Sequence, residues 1–153
     1  MRSFPQAGGC VCGEIRYVLR DDPVTVYACH CTDCQTETGS AFYLSVVVPA
    51  AAFEYTRGTP ERWDVVLPDG REKGSFCCAR CKTNLGGPGS LENLASVDGG
   101  TFDDTSWLVP AGHIWTRSAQ SWIQLPEDSL RFETAPGQEG FVSMARKWKS
   151  SAP

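Results

Sequence analysis

Residues 10–12 read Cys10-Val11-Cys12, and residues 78–81 read Cys78-Ala79-Arg80-Cys81. Alternate side chains of an extended segment point the same way, so Cys10 and Cys12 can reach one metal ion. A C-x-x-C turn likewise brings its two sulfurs together. Four thiolates complete the tetrahedral coordination of a structural zinc ion, whose binding contributes about 10 kcal/mol or more to the folding of small domains. The two pairs predict a structural zinc that ties the start of the chain to its middle.

Residues 29–34 hold a second cluster, Cys29-His30-Cys31-Thr32-Asp33-Cys34. Its three cysteines can supply three thiolates to a second zinc ion, with one coordination position left for water or substrate, as in catalytic zinc sites. Three thiolates make zinc a weak Lewis acid but suit it to capturing a further soft ligand, such as a substrate thiol. The cluster therefore favours sulfur chemistry over hydrolysis.

Two alternatives remain open for this cluster. Cys77 stands beside Cys78, and neighbouring residues of an extended chain face opposite ways, so Cys77 is a candidate fourth ligand that would close the second site. His30 is also a candidate ligand, although alternation points its side chain away from Cys29 and Cys31. Closure by either residue would make both sites structural.

The composition indicates one globular domain over residues 1–153, with a core at about 8–135 and a mobile tail from about Pro136. The chain has 153 residues, is 41% hydrophobic and contains five tryptophans. We see no signal peptide and no apolar run long enough to cross a membrane, and we expect a cytoplasmic protein with reduced cysteines rather than disulfides. The formal net charge of −4 disfavours binding to nucleic acid.

The hydrophobic pattern is mainly that of β-strands. In segment 14–19 the side chains of Ile15, Tyr17 and Leu19 share one face, and segment 42–48 is rich in aromatic and β-branched residues. Further strands are predicted at 53–57, 61–67 and 71–76. Helix is predicted only at Thr32–Thr38, ending at Gly39, and weakly at Phe141–Lys149. The glycine-rich stretch 86–100 is interpreted mainly as loop.

Several motifs together resemble the glutathione-dependent formaldehyde-activating (GFA) family. The resemblance runs from about Gly8 to Trp122 and includes every cysteine pair in the family order. It rests on the segments 8–17 (GGCVCGEIRY), 29–34 with Gly39-Ser40, 78–85 (CARCKTNL) and 110–115 (PAGHIW) with Trp122. The sequence departs from the family pattern at Lys82, where a glycine is usual, and at the additional Cys77.

The resemblance implies an Mss4-like fold of layered β-sheets, two zinc ions and S-(hydroxymethyl)glutathione synthase activity, which is a carbon–sulfur lyase reaction between glutathione and formaldehyde or a related small aldehyde. The positions that match the structural zinc ligands are Cys10, Cys12, Cys78 and Cys81. Cys29, Cys31 and Cys34 match the ligands of the catalytic zinc. The fold hosts several uses, so the substrate is not fixed by it.

Other residues have both a functional and a purely structural interpretation. Gly39 and Ser40 are candidate substrate contacts, although Gly39 also suits a helix end. His113 is a candidate proton shuttle or carboxylate contact, with a core histidine as the favoured alternative. Trp107, Trp115 and Trp122 are candidate pocket walls or core residues. A basic contact to anionic glutathione is expected from one of Arg57, Arg62, Arg80 and Arg117.

Two rival functions are compatible with the same cysteines. A non-catalytic zinc module would bind glutathione or a protein partner without turnover. Thiol redox chemistry at Cys77-Cys78 or within residues 29–34 is the other. The oligomeric state is not indicated by any pattern in the sequence.

Overall fold

The computed structural model describes residues 2–88 and 93–151. Within them the structure has two α-helices and eleven strands, which confirms the prediction of a mainly β fold with little helix. The elements in chain order are β1 Gln6–Gly9, β2 Arg16–Leu19, β3 Thr25–Cys29, α1 Thr32–Thr38, β4 Tyr43–Pro49, β5 Phe53–Arg57, β6 Glu61–Val66, β7 Glu72–Cys77, β8 Asn84–Pro88, β9 Leu94–Asp98, β10 Gly112–Ile114, β11 Leu130–Arg131 and α2 Gly137–Ser150.

The chain forms two compact units. Unit 1 comprises Met1–Arg2, Pro23–Val47 and Ser106–Pro153, and unit 2 comprises Ser3–Asp22 and Val48–Thr105. None of the helices in the described part of the chain is both long and apolar enough to cross a membrane.

Unit 1 contains strands in the order β11, β10, β3 and β4. Strand β3 is antiparallel to β4 and parallel to β10, and this pairing sets Ile114 opposite Cys29. The core side of β3 includes Val26 and Ala28, which are fully buried. The parallel pairing therefore fixes the end of β3, where the three-cysteine cluster begins.

Helix α2 packs on β3 and is part of the core of unit 1. Its buried residues Gly140, Met144 and Trp148 recur every fourth position and so share one face. The Trp107 ring meets the Trp148 ring edge to face at 6.2 Å, and the Arg2 guanidinium lies 3.9 Å from the centroid of Trp148. The weakly predicted helix is confirmed, and the packed core extends beyond the boundary near residue 135 that the sequence suggests.

Unit 2 contains the antiparallel three-stranded sheet of β1, β2 and β5, and a run of antiparallel strands in the order β9, β8, β7 and β6. Ile15, Tyr17 and Leu19 are fully buried, which confirms the face predicted for this strand. The Tyr17 hydroxyl lies 2.8 Å from the Thr101 hydroxyl, and its ring packs edge to face on Phe102.

The interpretation of residues 86–100 as mainly loop is wrong. Strands β8 and β9 occupy most of this stretch, while residues 89–92 lie outside the described residues. Gly86 has φ of +75° and its α-carbon faces the carbonyl oxygen of Ser96, where a Cβ atom would clash with the backbone. Glycine is present here because two strands approach closely, and this is a recognised use of glycine in sheets.

Candidate functional site

The first cysteine cluster lies in unit 2, at the turn after β1 and the turn after β7. Its members are Cys10, Cys12, Cys78 and Cys81, whose sulfur atoms all lie within 4.8 Å of one another. Cys12 Sγ is 3.5 Å from Cys10 Sγ and 3.8 Å from Cys78 Sγ. A zinc ion with Zn–S bonds of about 2.3 Å separates tetrahedral sulfurs by about 3.8 Å. The four sulfurs therefore have the spacing that a metal of this size requires.

Backbone hydrogen bonds hold both turns in place. The Cys10 backbone N–H donates to Ile15 O at 3.1 Å, and the Ile15 N–H donates to Cys10 Sγ at 3.2 Å. In the second turn, Cys78 N–H donates to Thr83 O and Lys82 N–H donates to Cys78 O. Lys82 has a left-handed backbone with φ of +61°. Glycine adopts this conformation without strain, which explains why a glycine is usual at this position in the family that the chain resembles.

The surroundings of the cluster shift the pKa values of the Cys81 and Cys12 thiols in opposite directions. The hydroxyl of Thr83, 3.2 Å from Cys81 Sγ, and the Thr83 backbone lower the pKa of the Cys81 thiol to about 5. The Glu14 backbone lowers the pKa of Cys12, but desolvation and the three neighbouring sulfurs raise it to about 12. The Cys81 thiolate forms readily and the Cys12 thiolate needs a compensating positive charge, so the donor set fits a divalent metal ion.

The second cluster lies in unit 1 and consists of Cys29 at the end of β3, Cys31 at the N-cap of α1, and Cys34 in the first turn of α1. Their three sulfurs lie within 4.8 Å of one another. Cys31 Sγ accepts a hydrogen bond from the backbone N–H of Cys34 at 3.3 Å, so the sulfur takes the place of the usual capping oxygen. Burial raises the pKa of the Cys31 thiol. These soft donors likewise fit a metal ion.

Neither alternative ligand joins this cluster. Among the described residues, the group that could hold a metal contains Cys29, Cys31 and Cys34 and neither Cys77 nor His30. Cys77 is buried at the end of β7, where it pairs with Glu61 of β6.

The His30 ring faces His113 instead. His30 Nε2 lies 2.9 Å from His113 Nδ1, and both rings are buried. Burial lowers the pKa of both histidines, to about 4 for His113. His113 is thus one half of a buried histidine pair rather than an exposed side chain.

A chain of hydrogen bonds links the second cluster to the surface of unit 1. Gln35 directly follows Cys34, and its Nε2 donates to His30 O at 2.8 Å and to Ser118 O at 2.9 Å. Gln120 Nε2 donates to Gln35 Oε1 at 3.0 Å, and Trp122 Nε1 donates to Gln120 Oε1 at 2.7 Å. Neither glutamine was identified from the sequence, because glutamine carries no motif and the contact spans 85 residues.

An open pocket of about 480 Å³ lies at this place, and it is called here the Gln120–Trp122 pocket. Its walls are Gln35, Thr36, Gly39, Ser40, Ala41, Gln120 and Trp122. Gly39, with φ of +61°, ends α1 as predicted. The pocket therefore includes the candidate contacts Gly39 and Ser40 and the candidate wall Trp122. Trp107 is buried in the core, and Trp115 packs under the Arg117 guanidinium at 4.8 Å.

The match to a protein-family model agrees with the cysteine pattern. A protein of Rhodobacter sphaeroides with a solved crystal structure is similar over 82% of this chain and 98% of its own, with 11% identity and a TM-score of 0.48. No curated protein sequence gives a significant match. The model of the family described as glutathione-dependent formaldehyde-activating enzyme matches residues 5–118, which include all seven clustered cysteines. The chain therefore belongs to the glutathione-dependent formaldehyde-activating enzyme family.

Proposed function

We propose that the protein is a zinc-dependent carbon–sulfur lyase of the S-(hydroxymethyl)glutathione synthase type, which joins glutathione to formaldehyde or a related small aldehyde. The observation that carries this proposal is the cluster of Cys29, Cys31 and Cys34, which offers three sulfurs to a metal and lies next to an open pocket. Family membership supports the same substrates.

The two clusters have different roles in this proposal. Cys10, Cys12, Cys78 and Cys81 hold a structural zinc ion, because four thiolates fill its coordination. Cys29, Cys31 and Cys34 hold the second zinc, which, when bound, supplies a positive charge that keeps a substrate thiol deprotonated and still nucleophilic. The protein thus carries two zinc ions per chain.

The reaction forms one carbon–sulfur bond and needs no oxidant. The glutathione sulfur attacks the carbonyl carbon, the π-electron pair of the C=O bond moves to oxygen, and that oxygen takes up one proton to replace the proton lost by the thiol. Cys31 and Cys34 are only half-buried, so a substrate can approach the cluster from solvent. Gln35 binds the backbone on both sides of the site and keeps Cys34 in register with the 29–31 segment.

Zinc analysis and turnover of two cysteine variants test the proposal. Turnover can be followed by NMR exchange of ¹³C-labelled formaldehyde with glutathione, which separates the catalysed rate from the spontaneous rate. We expect two zinc ions per chain in the wild type. Cys31→Ser should lose the catalysed rate at least a hundredfold while it stays folded, and Cys10→Ser should unfold. The matched control is Cys77→Ser, which should keep both zinc ions and full turnover.

The contradicting results are equally specific. If Cys31→Ser and Cys10→Ser unfold to the same extent, both clusters are structural and the protein is a non-catalytic zinc module. If Cys77→Ser loses zinc and turnover, Cys77 is a ligand and the site is closed. A wild-type protein with one zinc ion per chain would also defeat the proposal.

A further inference from the structure

The side-chain amide of Gln120 makes two hydrogen bonds with its neighbours, which is half of the four that it can make. A glutamine side chain has two N–H donors and an oxygen with two acceptor positions. Gln120 gives one N–H to Gln35 Oε1, and its oxygen accepts one hydrogen bond from Trp122 Nε1. Among residues 2–88 and 93–151, one N–H and one lone pair of the Gln120 amide thus have no partner and remain for a ligand. A donor and an acceptor side by side are the complement of the N–H and C=O of one residue in an extended peptide, which point the same way and belong to two successive amides.

Gln120 is also held in place before any ligand arrives. Gln35, its partner on one side, is fixed by two hydrogen bonds to backbone carbonyls, and Trp122 fixes it on the other side. A side chain that is ordered in advance loses less conformational entropy on binding. Trp122, which is 69% exposed, stands beside this amide and offers a large apolar surface to the same ligand.

The pocket recognises an uncharged group. Every residue that lines the Gln120–Trp122 pocket in the described structure is neutral, and two of them, Thr36 and Ser40, carry exposed hydroxyls. Arg117, the candidate basic residue of unit 1, packs over Trp115 and is not one of the pocket walls. The basic contact expected for glutathione is therefore not a property of this pocket.

The pocket is within reach of the cysteine cluster for a peptide-sized thiol. The segment from Cys34 to Gly39 is helix α1 and its end, and five residues of helix advance by about 7.5 Å. Gln35 lines the near end of this pocket, because it directly follows Cys34 and accepts a hydrogen bond from Gln120. In a peptide thiol such as glutathione the sulfur is one carbon from the backbone of its own residue, so a sulfur at the cluster brings that backbone to the side of the pocket formed by Gln35 and Gln120.

We propose that Gln120 and Trp122 form an amide-recognition subsite that selects peptide thiols over small thiols, and that this selection does not depend on the carboxylates of the substrate. The subsite rests on the proposed function, because it assumes that the substrate sulfur goes to Cys29, Cys31 and Cys34. It adds a determinant of specificity, with Gln120 as the donor and acceptor and Trp122 as the apolar wall.

Calorimetric titration of the zinc-loaded protein with three thiols tests the subsite. The probes are glutathione, its diethyl ester and 2-mercaptoethanol, which has no amide. We expect glutathione to bind at least tenfold more tightly than 2-mercaptoethanol, and the ester to bind within about threefold of glutathione. Gln120→Leu removes both hydrogen bonds to the ligand, so it should weaken glutathione binding by about tenfold or more and leave the binding of 2-mercaptoethanol unchanged. Trp122→Ala should also weaken glutathione binding and leave the binding of 2-mercaptoethanol unchanged.

A second readout separates this inference from the proposed function. Cobalt substituted for zinc reports directly on thiol coordination through its absorption spectrum. If 2-mercaptoethanol changes that spectrum equally in the wild type and in Gln120→Leu, thiol coordination is intact in both and supports the proposed function. A difference in glutathione affinity between the two proteins then reports on the subsite alone. The subsite is overturned if Gln120→Leu binds glutathione as the wild type does, or if the ester binds more than tenfold more weakly than glutathione. If no thiol changes the spectrum, the proposed function itself fails.

Discussion

His30 Nε2 and His113 Nδ1 lie 2.9 Å apart in unit 1, and the two imidazole rings stack with their centroids 5.2 Å apart. One hydrogen atom serves both nitrogens, so the pair is compatible with two neutral rings but not with two imidazolium ions. His30 stands between two cysteines of the second cluster, and the pair therefore ties that segment to β10.

The buried pair predicts an acid-sensitive fold. Burial, together with nearby His30 and Arg131, lowers the pKa of His113 from 6.5 to about 4. Between these pH values the unfolded chain binds a proton that the folded chain does not, so the free energy of unfolding decreases as the pH falls. The decrease amounts to about 3 kcal/mol over the window, since one pKa unit corresponds to about 1.4 kcal/mol.

The variant His113→Asn keeps a hydrogen-bonding group near the position of Nδ1 but does not titrate. Urea unfolding at several pH values between 7 and 5, with zinc content held equal, should show a shallower pH dependence in this variant than in the wild type. Identical slopes would show that His113 does not carry the effect.

The Thr83 hydroxyl should matter for metal affinity at the first cluster. It lies 3.2 Å from Cys81 Sγ and accepts a hydrogen bond from the Val11 backbone at 3.3 Å. Groups that orient a ligand in this way typically change metal affinity 10–100-fold. Thr83→Val should raise the pKa of Cys81 and weaken zinc binding by about tenfold in competition with a chromophoric chelator. Thr83→Ser keeps the hydroxyl and is the control, and equal losses in both variants would rule out a role for that hydroxyl.

Lys82 should destabilise the turn that it occupies. Its φ of +61° is left-handed, a conformation that costs an L-residue about 1–2 kcal/mol and glycine very little. Its ammonium lies 3.7 Å from the Glu61 carboxylate, and an exposed pair of this kind contributes little. Lys82→Gly should therefore be more stable than Lys82→Ala by about 1 kcal/mol in denaturant unfolding. The comparison with alanine removes the effect of the lost charge, and equal stability of the two variants would contradict the strain argument.

Gln35 should contribute to the affinity of the second cluster for metal without being a ligand. Gln35→Met keeps the shape of the side chain but removes its hydrogen bonds to His30 O, which retains the Ser118 hydroxyl as a donor, and to Ser118 O. Each lost hydrogen bond costs about 1 kcal/mol. We expect weaker zinc binding at this cluster and unchanged binding at the four-cysteine cluster. Gln35→Glu also lacks the donor, and its carboxylate would face the carbonyl oxygens of His30 and Ser118, so it should weaken zinc binding too. Unaltered zinc affinity in both variants would show that the donor is not needed.

The sequence predicts what depends on local spacing. The two cysteine clusters, helix α1 with its left-handed end at Gly39 and the buried face of Ile15, Tyr17 and Leu19 all follow from residues close together in the chain. Strand β8 was missed because Gly86 resembles a loop residue until the nearby backbone of Ser96 is known.

The long-range pairs could not be predicted from spacing. His30 and His113 are 83 positions apart, and Gln35 and Gln120 are 85 apart, so no local pattern joins them. Histidine and glutamine also have many roles in proteins, so the residue type alone does not identify a partner. Tertiary packing decides both contacts, and both lie in the region where the cluster meets the pocket.

The separation between Cys12 and Cys78 has a consequence for synthesis on the ribosome. The two residues are 66 positions apart, and at a synthesis rate of 5–20 residues per second the later cysteine emerges roughly 3–13 s after the earlier one. During this interval the nascent chain carries only two of the four thiols of the cluster. Competing metal ions can bind these two thiols, and oxidants can oxidise them. The order of translation thus creates a vulnerable period that the finished protein no longer has.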